Sequence, residues 1–190
     1  MTCKDEYQEL FKKVMKEHLA VFEAQDVIEL EQFMDLIIQA DRIFCMGVGR
    51  EGISTRGFAM RLMHLGKEVH WIWDDTTPGM KKGDLFIATN GSGKIGHIQY
   101  VTEQAKKSGA TVAIVTGSAN QVNREFADFV LFVPASVFNG TDSRAVKSIQ
   151  PMGNLFEQHL YMLFDIIVIM LERRLKLSHE AMEARHRNVE

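Results

Sequence analysis

Three glycine-rich turns constrain the possible fold of this chain most. Each follows a short β-branched or aromatic run and precedes a helix-like segment. They lie at residues 47–52, 90–93 and 116–118. A turn of this kind points unpaired backbone N–H groups at one place, and at a helix N-terminus these donors and the helix dipole attract an anion. The three turns therefore predict a phosphate-binding crevice at one edge of a parallel sheet.

The apolar runs around these turns predict the fold. They alternate with helical patterns of roughly 10–15 residues, which is typical of a doubly wound parallel sheet in an α/β protein. The predicted strands cover residues 42–48, 69–73, 85–89, 111–116 and 129–133. Residues 7–40 have a helical period that predicts two helices before the sheet, and the polar, aperiodic residues 139–150 predict a long loop.

The segment 154–175 predicts a long helix that is apolar on nearly every face and must therefore be covered all round. A membrane span is the alternative interpretation. Glu157, His159 and Asp165 interrupt the apolar stretch, and each charge there would cost about 2.5–3.5 kcal/mol in lipid. We therefore expect this helix to be buried in a subunit interface, and we expect no membrane partner.

Length and charge narrow the classes of protein that fit. The 190 residues suit one domain, 1–190, with N-terminal helices at about 5–40 and a C-terminal helix and arm at about 154–190. The net charge of −3, with Lys and Arg spread along the chain, predicts no nucleic-acid partner. Cys3 and Cys45 form no disulfide framework, and the first residues lack the apolar stretch of a secretion signal. These features predict a cytoplasmic protein.

The first turn has a second interpretation, as part of a dinucleotide-binding site. Gly47, Gly49 and Gly52 match the dinucleotide fingerprint after a strand, and acidic residues follow the next strand at 74 and 75. Arg50 weakens this match, because it places a fixed cation beside the anion site. The second small-residue turn weakens it further, because a nucleotide fold does not require such a turn at the third strand.

Longer motifs point to one family. They lie at residues 47–50, 58–66, 76–78, 82–85 and 148–158, and at the closing Arg185, His186, Asn188 and Glu190. Together they resemble the 6-phospho-3-hexuloisomerases of the sugar isomerase (SIS) domain family over nearly the whole chain. The resemblance implies a single SIS domain, with a five-stranded parallel sheet flanked by helices in a flavodoxin-like three-layer sandwich, assembled as a homotetramer or a dimer.

The same resemblance implies a reaction. A small-molecule sugar phosphate would be the partner, and a 3-keto and a 2-keto hexose 6-phosphate would interconvert through a cis-enediolate in the ribulose monophosphate pathway. No metal and no other cofactor is expected. His179, Glu183 and His186 share one helical face and offer a weak metal-site alternative, but such a spacing recurs by chance on polar helices.

Moving a carbonyl between neighbouring carbons requires a base for the carbon-bound proton and a group that handles protons at the oxygens. Glu157 is the candidate base, because it follows the polar loop and opens the apolar helix. The alternative is a capping box, since Asn154 and Glu157 stand three residues apart.

Histidine suits the proton transfers at the substrate oxygens near neutral pH. The resemblance implies that His186 is supplied to the site of a neighbouring subunit. His64 is the second candidate, but it lies about 18 Å from the phosphate end of its helix at 1.5 Å per residue and would serve only an adjoining subunit. For both residues, a hydrogen-bonded structural histidine is the alternative.

The phosphate-binding turns depart from the family. The family pattern is Ser-Gly-Ser-Gly-Glu-Thr at the second turn and Gly-Arg-Ser-Gly at the first, whereas this chain has Asn90, Lys94, Ile95 and Glu51 at the divergent positions. We expect Lys94 and the Asn90 amide to replace the missing hydroxyls, and Glu51 to turn outward or to pair with Arg50. The predicted phosphate contacts are Gly49, Arg50, Ser54, Thr55, Asn90, Gly91, Ser92, Gly93 and Lys94. These departures leave open a SIS module that binds a sugar phosphate without converting it.

Overall fold

A computed structural model describes residues 1–189. Within them, eleven strands and α-helices follow one another along the chain. They are α1 Cys3–Ala24, α2 Val27–Gln39, β1 Arg42–Met46, α3 Gly49–His64, β2 Glu68–Trp71, β3 Leu85–Thr89, α4 Gly96–Lys107, β4 Thr111–Thr116, β5 Phe129–Phe132, α5 Asn154–Leu175 and α6 His179–Glu183. The α/β prediction is confirmed, and every predicted strand is present to within two residues at each end.

All five strands are parallel and pair in the order β2-β1-β3-β4-β5. The chain winds from β1 outward to β2, then crosses to β3 and continues in the other direction. A doubly wound sheet of this order has its topological switch point between β1 and β3, and a crevice opens there beyond the carboxyl ends of the two strands. The turns that follow these strands are residues 47–48 and 90–95.

Helices cover both faces of the sheet, as the three-layer prediction required. Side chains alternate along β1, so that Ile43 and Cys45 face one core and Phe44 and Met46 face the other. The first core is closed by α2, α3 and α5, and the second by α4 and the segment before β5. This arrangement leaves the strand ends, rather than the sheet faces, available to a ligand.

Among the described helices, residues 151–175 alone have the length and mean hydropathy of a membrane span. One face of α5 is that of a core helix, with Leu160 and Phe164 buried and the Phe164 ring stacked on Phe58 at 4.3 Å. Its outer face is not covered within this chain, because Tyr161 and Ile169 are both 47% exposed. Cover for this outer face by another subunit stays a prediction.

Candidate active site

The turn after β1 is held by a close approach of two glycines. The side chain that any larger residue would add at Gly47 would meet the Cα of Gly52 at 2.9 Å and overlap the hydroxyl of Thr89. Gly49 adopts φ +55°, a conformation that favours glycine, and α3 begins there with no side-chain cap. The first N–H groups of α3 consequently lie at the carboxyl edge of the sheet.

The turn after β3 is built in a similar way. Asn90 is buried, and its Oδ1 accepts a hydrogen bond of 3.3 Å from the N–H of Ile95. Ser92 Oγ accepts from the N–H of Lys94 at 3.3 Å, while Gly93 adopts φ +73°. This loop also leads into a helix without a side-chain cap, because Ile95 occupies the N-cap position of α4.

Between these two turns and the start of α5 lies a cavity of about 540 Å³. Of the predicted site residues, Gly49, Arg50, Ser92 and Glu157 line it together. The long loop before α5 covers the cavity with Phe138 and Met152. The structure thus brings the first two glycine turns and the candidate base to one place.

Glu157 faces the cavity from the first turn of α5. Its Oε2 accepts a hydrogen bond of 2.5 Å from Nε of Arg50, and its side chain is 18% exposed. Its backbone carbonyl accepts from the Ser54 hydroxyl at 2.9 Å, which joins the start of α5 to α3. The capping-box alternative is wrong: Gly153 is the N-cap of α5, and no side chain caps the helix.

Glu51 is the largest departure from expectation. It turns inward rather than outward, and its Oε2 accepts a hydrogen bond of 2.9 Å from the backbone N–H of Gly91. The prediction that it pairs with Arg50 is also wrong, because Arg50 binds Glu157. Burial, followed by the nearby Glu157 carboxylate, raises the pKa of Glu51 to about 7 against the Gly91 hydrogen bond. The β3 turn therefore holds a carboxyl group of the protein itself at the N–H of Gly91.

Other predicted phosphate contacts have internal partners in the structure. The Thr55 hydroxyl is fully buried and lies 2.8 Å from both the Glu51 carbonyl and the Thr89 hydroxyl. The third glycine turn does not line the cavity; it packs against Val137, which a side chain at Gly117 would overlap. Asn90 and Gly93 line a neighbouring cavity of about 380 Å³ beside α4.

The two candidate histidines lie at the far end of α3. His64 is buried there, and its ring stacks on that of His186 at 5.3 Å within the same chain. The two ends of α3 are about 22 Å apart at 1.5 Å per residue, so neither ring reaches the cavity of its own chain. Glu190, the last residue of the closing motif, lies outside the described residues. Within residues 1–189, no group of three or more His, Cys, Asp and Glu side chains is arranged to hold a metal ion.

A histidine that the sequence reasoning did not select lies closer to Glu157. His18 on α1 lines a second cavity of about 440 Å³, which shares Arg50 and Glu157 with the first. Both ring nitrogens of His18 are engaged, Nδ1 with His159 at 3.3 Å and Nε2 with Gln158 at 3.2 Å. His18 is buried, and no pattern in the sequence gave a reason to place it at the site.

Glu17 fastens the covering loop to α1. Its carboxylate accepts hydrogen bonds from Ser148 Oγ at 2.6 Å, Ile149 N at 2.8 Å and Gln150 Nε2 at 3.1 Å. Farther along the loop, Met152 adopts a left-handed φ of 59°, which costs of order 1 kcal/mol or more and needs such anchoring. Burial acts to raise the pKa of Glu17, but the three hydrogen bonds outweigh it and hold the pKa below its usual range.

We expect Glu17→Ala to destabilise the protein by about 1–3 kcal/mol at neutral pH, because three donors lose their acceptor. The depressed pKa means that the contribution of Glu17 is present above 4.5, the ordinary value for this side chain, and is lost as the pH falls below it. Urea unfolding at pH 7 and pH 4 measures both effects. Glu9→Ala is the matched control, since Glu9 on the same helix forms only an exposed pair with Lys13. Equal losses for the two variants would contradict the anchoring role.

Comparisons with known proteins bear on the family of this chain. No protein-family model matches the chain. The chain is 35% identical to the 3-hexulose-6-phosphate isomerase of Bacillus subtilis over 162 residues, covering 85% of this chain and 87% of the relative. It is also 35% identical to the protein of the same name from Mycobacterium gastri over 187 residues, covering 98% of this chain and 87% of the relative.

A solved structure supports the same assignment. It is that of a Methanococcus jannaschii protein for which a function of 3-hexulose-6-phosphate isomerase was inferred, and it superposes with a TM-score of 0.81. The two chains are 30% identical, and the match covers 96% of this chain and 99% of the other. The resemblance found in the motifs is confirmed, and the chain belongs to the 3-hexulose-6-phosphate isomerase family of sugar isomerase domain proteins.

Proposed function

We propose that this protein interconverts a 3-keto and a 2-keto hexose 6-phosphate in the cavity between the β1 turn, the β3 turn and α5. The observation that carries the proposal is the position of Glu157, a carboxylate that lines the cavity beside two uncapped helix N-termini. The helix N-termini suit the phosphate, and the carboxylate suits the carbon-bound proton. The family membership supports the same reaction.

The phosphate group would bind at the β3 turn. Ser92 lines the cavity, Lys94 is exposed two residues farther along the same turn, and α4 follows without a side-chain cap on its first N–H groups. Because the Gly91 N–H is engaged by Glu51, the phosphate would lie toward the α4 side of this turn. Lys94 supplies a point charge in place of the hydroxyls that the family carries.

The sugar chain would then extend toward α5. Glu157 removes the proton from the hydroxyl-bearing carbon next to the carbonyl, which forms an enediol, and returns a proton to the neighbouring carbon. Arg50 would orient the Glu157 carboxylate through the 2.5 Å hydrogen bond. The same carboxylate can serve both carbon atoms, since they are adjacent.

One experiment separates this function from its two alternatives. Fructose 6-phosphate and NAD are each added to the protein, thermal stability is recorded, and deuterium uptake from D2O is followed by NMR. An isomerase is stabilised by fructose 6-phosphate and exchanges the hydrogen at C3, whereas an enzyme that acts through a 1,2-enediol exchanges a hydrogen at C1. Stabilisation without exchange would indicate a binding module. A response to NAD alone would contradict the proposal.

We further propose that the protein is a homo-oligomer, formed in part by α1. Tyr7, Phe11, Met15 and Leu19 are 41–67% exposed and recur every four residues, so that they form one apolar stripe along the helix. This stripe continues into Ile53, which lines the same cavity as Met15. An apolar surface of this extent is typical of a subunit interface. Another subunit is also what would bring a histidine such as His186 to this cavity.

Light scattering tests the interface. The wild-type protein is expected to have the mass of two or four chains, and the double variant Phe11→Asp/Met15→Asp a smaller mass, because two charges would be buried on each side of the contact. Asp substitutions at two exposed polar positions of the same helix, Lys12 and Lys16, serve as the control. A monomeric wild-type protein would contradict the proposal. The cytoplasmic location and the ribulose monophosphate pathway stay predictions from the sequence.

A further inference from the structure

We propose that Glu51 is a second catalytic residue of this site, the carboxylic acid that delivers and recovers the proton at the two substrate oxygens while Glu157 handles the proton at carbon. This inference rests on the proposed isomerisation. It is carried by the position of Glu51, which lines the same cavity as Glu157 and comes from a different element of the fold. Family proteins carry a serine at this position, so the role would belong to this chain and to others that share the glutamate.

The geometry gives the two oxygens of Glu51 different roles. Oε2 accepts the hydrogen bond from the Gly91 N–H at 2.9 Å, which fixes the carboxyl group in one orientation. Oε1 has no hydrogen-bond partner among the described residues, and the Glu51 side chain is half-buried. A carboxyl oxygen in this setting is suited to carry a proton and to donate it to a ligand oxygen in the cavity.

The other titratable groups near the cavity are less suited to this task. Arg50 stays charged and is paired with Glu157. The nitrogens of His18 are engaged by His159 and Gln158, and His64 lies at the far end of α3. Lys94, in the same turn as Gly91, is exposed and is placed to bind phosphate. Glu51 is thus the acid that this chain offers to its own cavity.

The protonation state of Glu51 agrees with this assignment. Its burial and the negative charge of Glu157 on α5 both favour the protonated form, and together they raise the pKa to about 7. The charged groups that line the cavity with it are Arg50 on its own helix and Glu157 on α5. Two carboxyl groups that share one cavity, one of them with a raised pKa, are suited to act as an acid and base pair.

The protons balance over the reaction. Glu157 takes the proton from C2 of the 3-keto sugar, the C2–H electron pair forms the C2=C3 bond, and the carbonyl π pair moves to O3, which takes the proton of Glu51. Glu51, now a carboxylate, accepts the O2 proton as the C2=O2 bond forms. The C2=C3 electron pair then takes the proton from Glu157 at C3. Both side chains return to their starting states, and no co-reactant is needed.

The test compares the wild-type protein with Glu51→Gln and Glu51→Asp. The glutamine keeps an acceptor for the Gly91 N–H but carries no transferable proton, so kcat for fructose 6-phosphate is expected to fall about 10²–10⁴-fold with KM changed only a few-fold. Glu51→Asp keeps the carboxyl group and is expected to retain more activity than the glutamine variant. The wild-type kcat is expected to fall as the pH rises through about 7, the pKa of Glu51, and the glutamine variant to lack this fall.

Thermal stability without substrate gives an independent readout. Since the pKa of Glu51 is raised in the folded protein, its contribution to stability is full below its ordinary value and is lost as the pH rises through about 7. The melting temperature of the wild-type protein should therefore decrease more between pH 5.5 and pH 8 than that of Glu51→Gln. The difference between the two decreases should correspond to the ionisation of one carboxyl group.

The outcomes are distinct. A folded Glu51→Gln variant with near wild-type kcat, or with a loss confined to KM, overturns the catalytic role of Glu51 and leaves the proposed function standing. A wild-type protein that binds fructose 6-phosphate but exchanges no carbon-bound hydrogen overturns both. A Glu51→Gln variant with a lowered kcat that no longer falls as the pH rises through about 7 supports the proposal. If Glu51→Gln does not fold, Glu51→Asp provides the test. An active Glu51→Asp variant whose kcat falls at a different alkaline pH from the wild type supports the proposal. A variant whose kcat falls at the same pH overturns it.

Discussion

Glu157→Gln is expected to lower the rate of isomerisation about 10²–10⁴-fold or more, because the amide cannot accept the carbon-bound proton. The amide keeps nearly the same shape and an oxygen that can still accept from Arg50, so the fold and ligand binding should persist. The measurement is the exchange of the C3 hydrogen of fructose 6-phosphate with D2O, followed by NMR, beside the thermal shift caused by the same ligand. Loss of exchange with an unchanged shift is the expected combination.

Asp165→Asn is the matched control for this variant. Asp165 lies on the same helix, is exposed, and does not line the cavity that holds Glu157. Its substitution removes one carboxylate from α5 and should leave the exchange rate within about two-fold, as for a surface change away from the site. A Glu157→Gln variant that exchanges the C3 hydrogen at the rate of this control would remove Glu157 from the mechanism.

The second large effect is expected from the phosphate contacts. The double variant Ser92→Ala/Lys94→Ala removes a hydroxyl donor and a cation from the β3 turn, and each contact to a charged phosphate contributes about 1.5–3 kcal/mol. KM for fructose 6-phosphate should therefore rise by roughly two orders of magnitude or more, with a smaller change in kcat. Steady-state kinetics with increasing substrate, or titration followed by thermal shift, measures the effect.

Lys107→Ala provides the comparison at the other end of α4. Lys107 carries the same charge and pairs with Glu103 on the helix surface, away from the cavity. Its loss should leave KM unchanged within about two-fold. If the double variant in the β3 turn behaves like Lys107→Ala, the phosphate binds elsewhere, and the neighbouring cavity beside Tyr100 and Phe126 would be the next place to examine.

The fold was predictable because its signals are local and repeat along the chain. The runs at 85–89 and 111–116 are apolar, β-branched and bounded by turn residues, and both ends of each strand were predicted correctly. The strand order follows less directly, since it depends on which helices cover which face. The apolar composition of α5 predicted that the helix is covered, but composition alone does not show which side meets the core of its own chain.

The site was predictable only in part. Glu157, Arg50 and Ser92 were placed near one another by their positions after strands and at the start of α5, and the structure brings all three to one cavity. The inward turn of Glu51 was missed, because it depends on the N–H of Gly91, which belongs to the turn after a different strand. The covering loop was recognised as a loop, but its anchor Glu17 lies more than a hundred residues away in sequence.

The most direct test of the account is a crystal structure of Glu157→Gln with fructose 6-phosphate. The account predicts the phosphate group at Ser92, Lys94 and the start of α4, with C2 and C3 about 3–3.5 Å from the side chain of residue 157. A sugar phosphate bound outside the cavity between β1, β3 and α5, or one whose C2 and C3 lie far from that side chain, would contradict it.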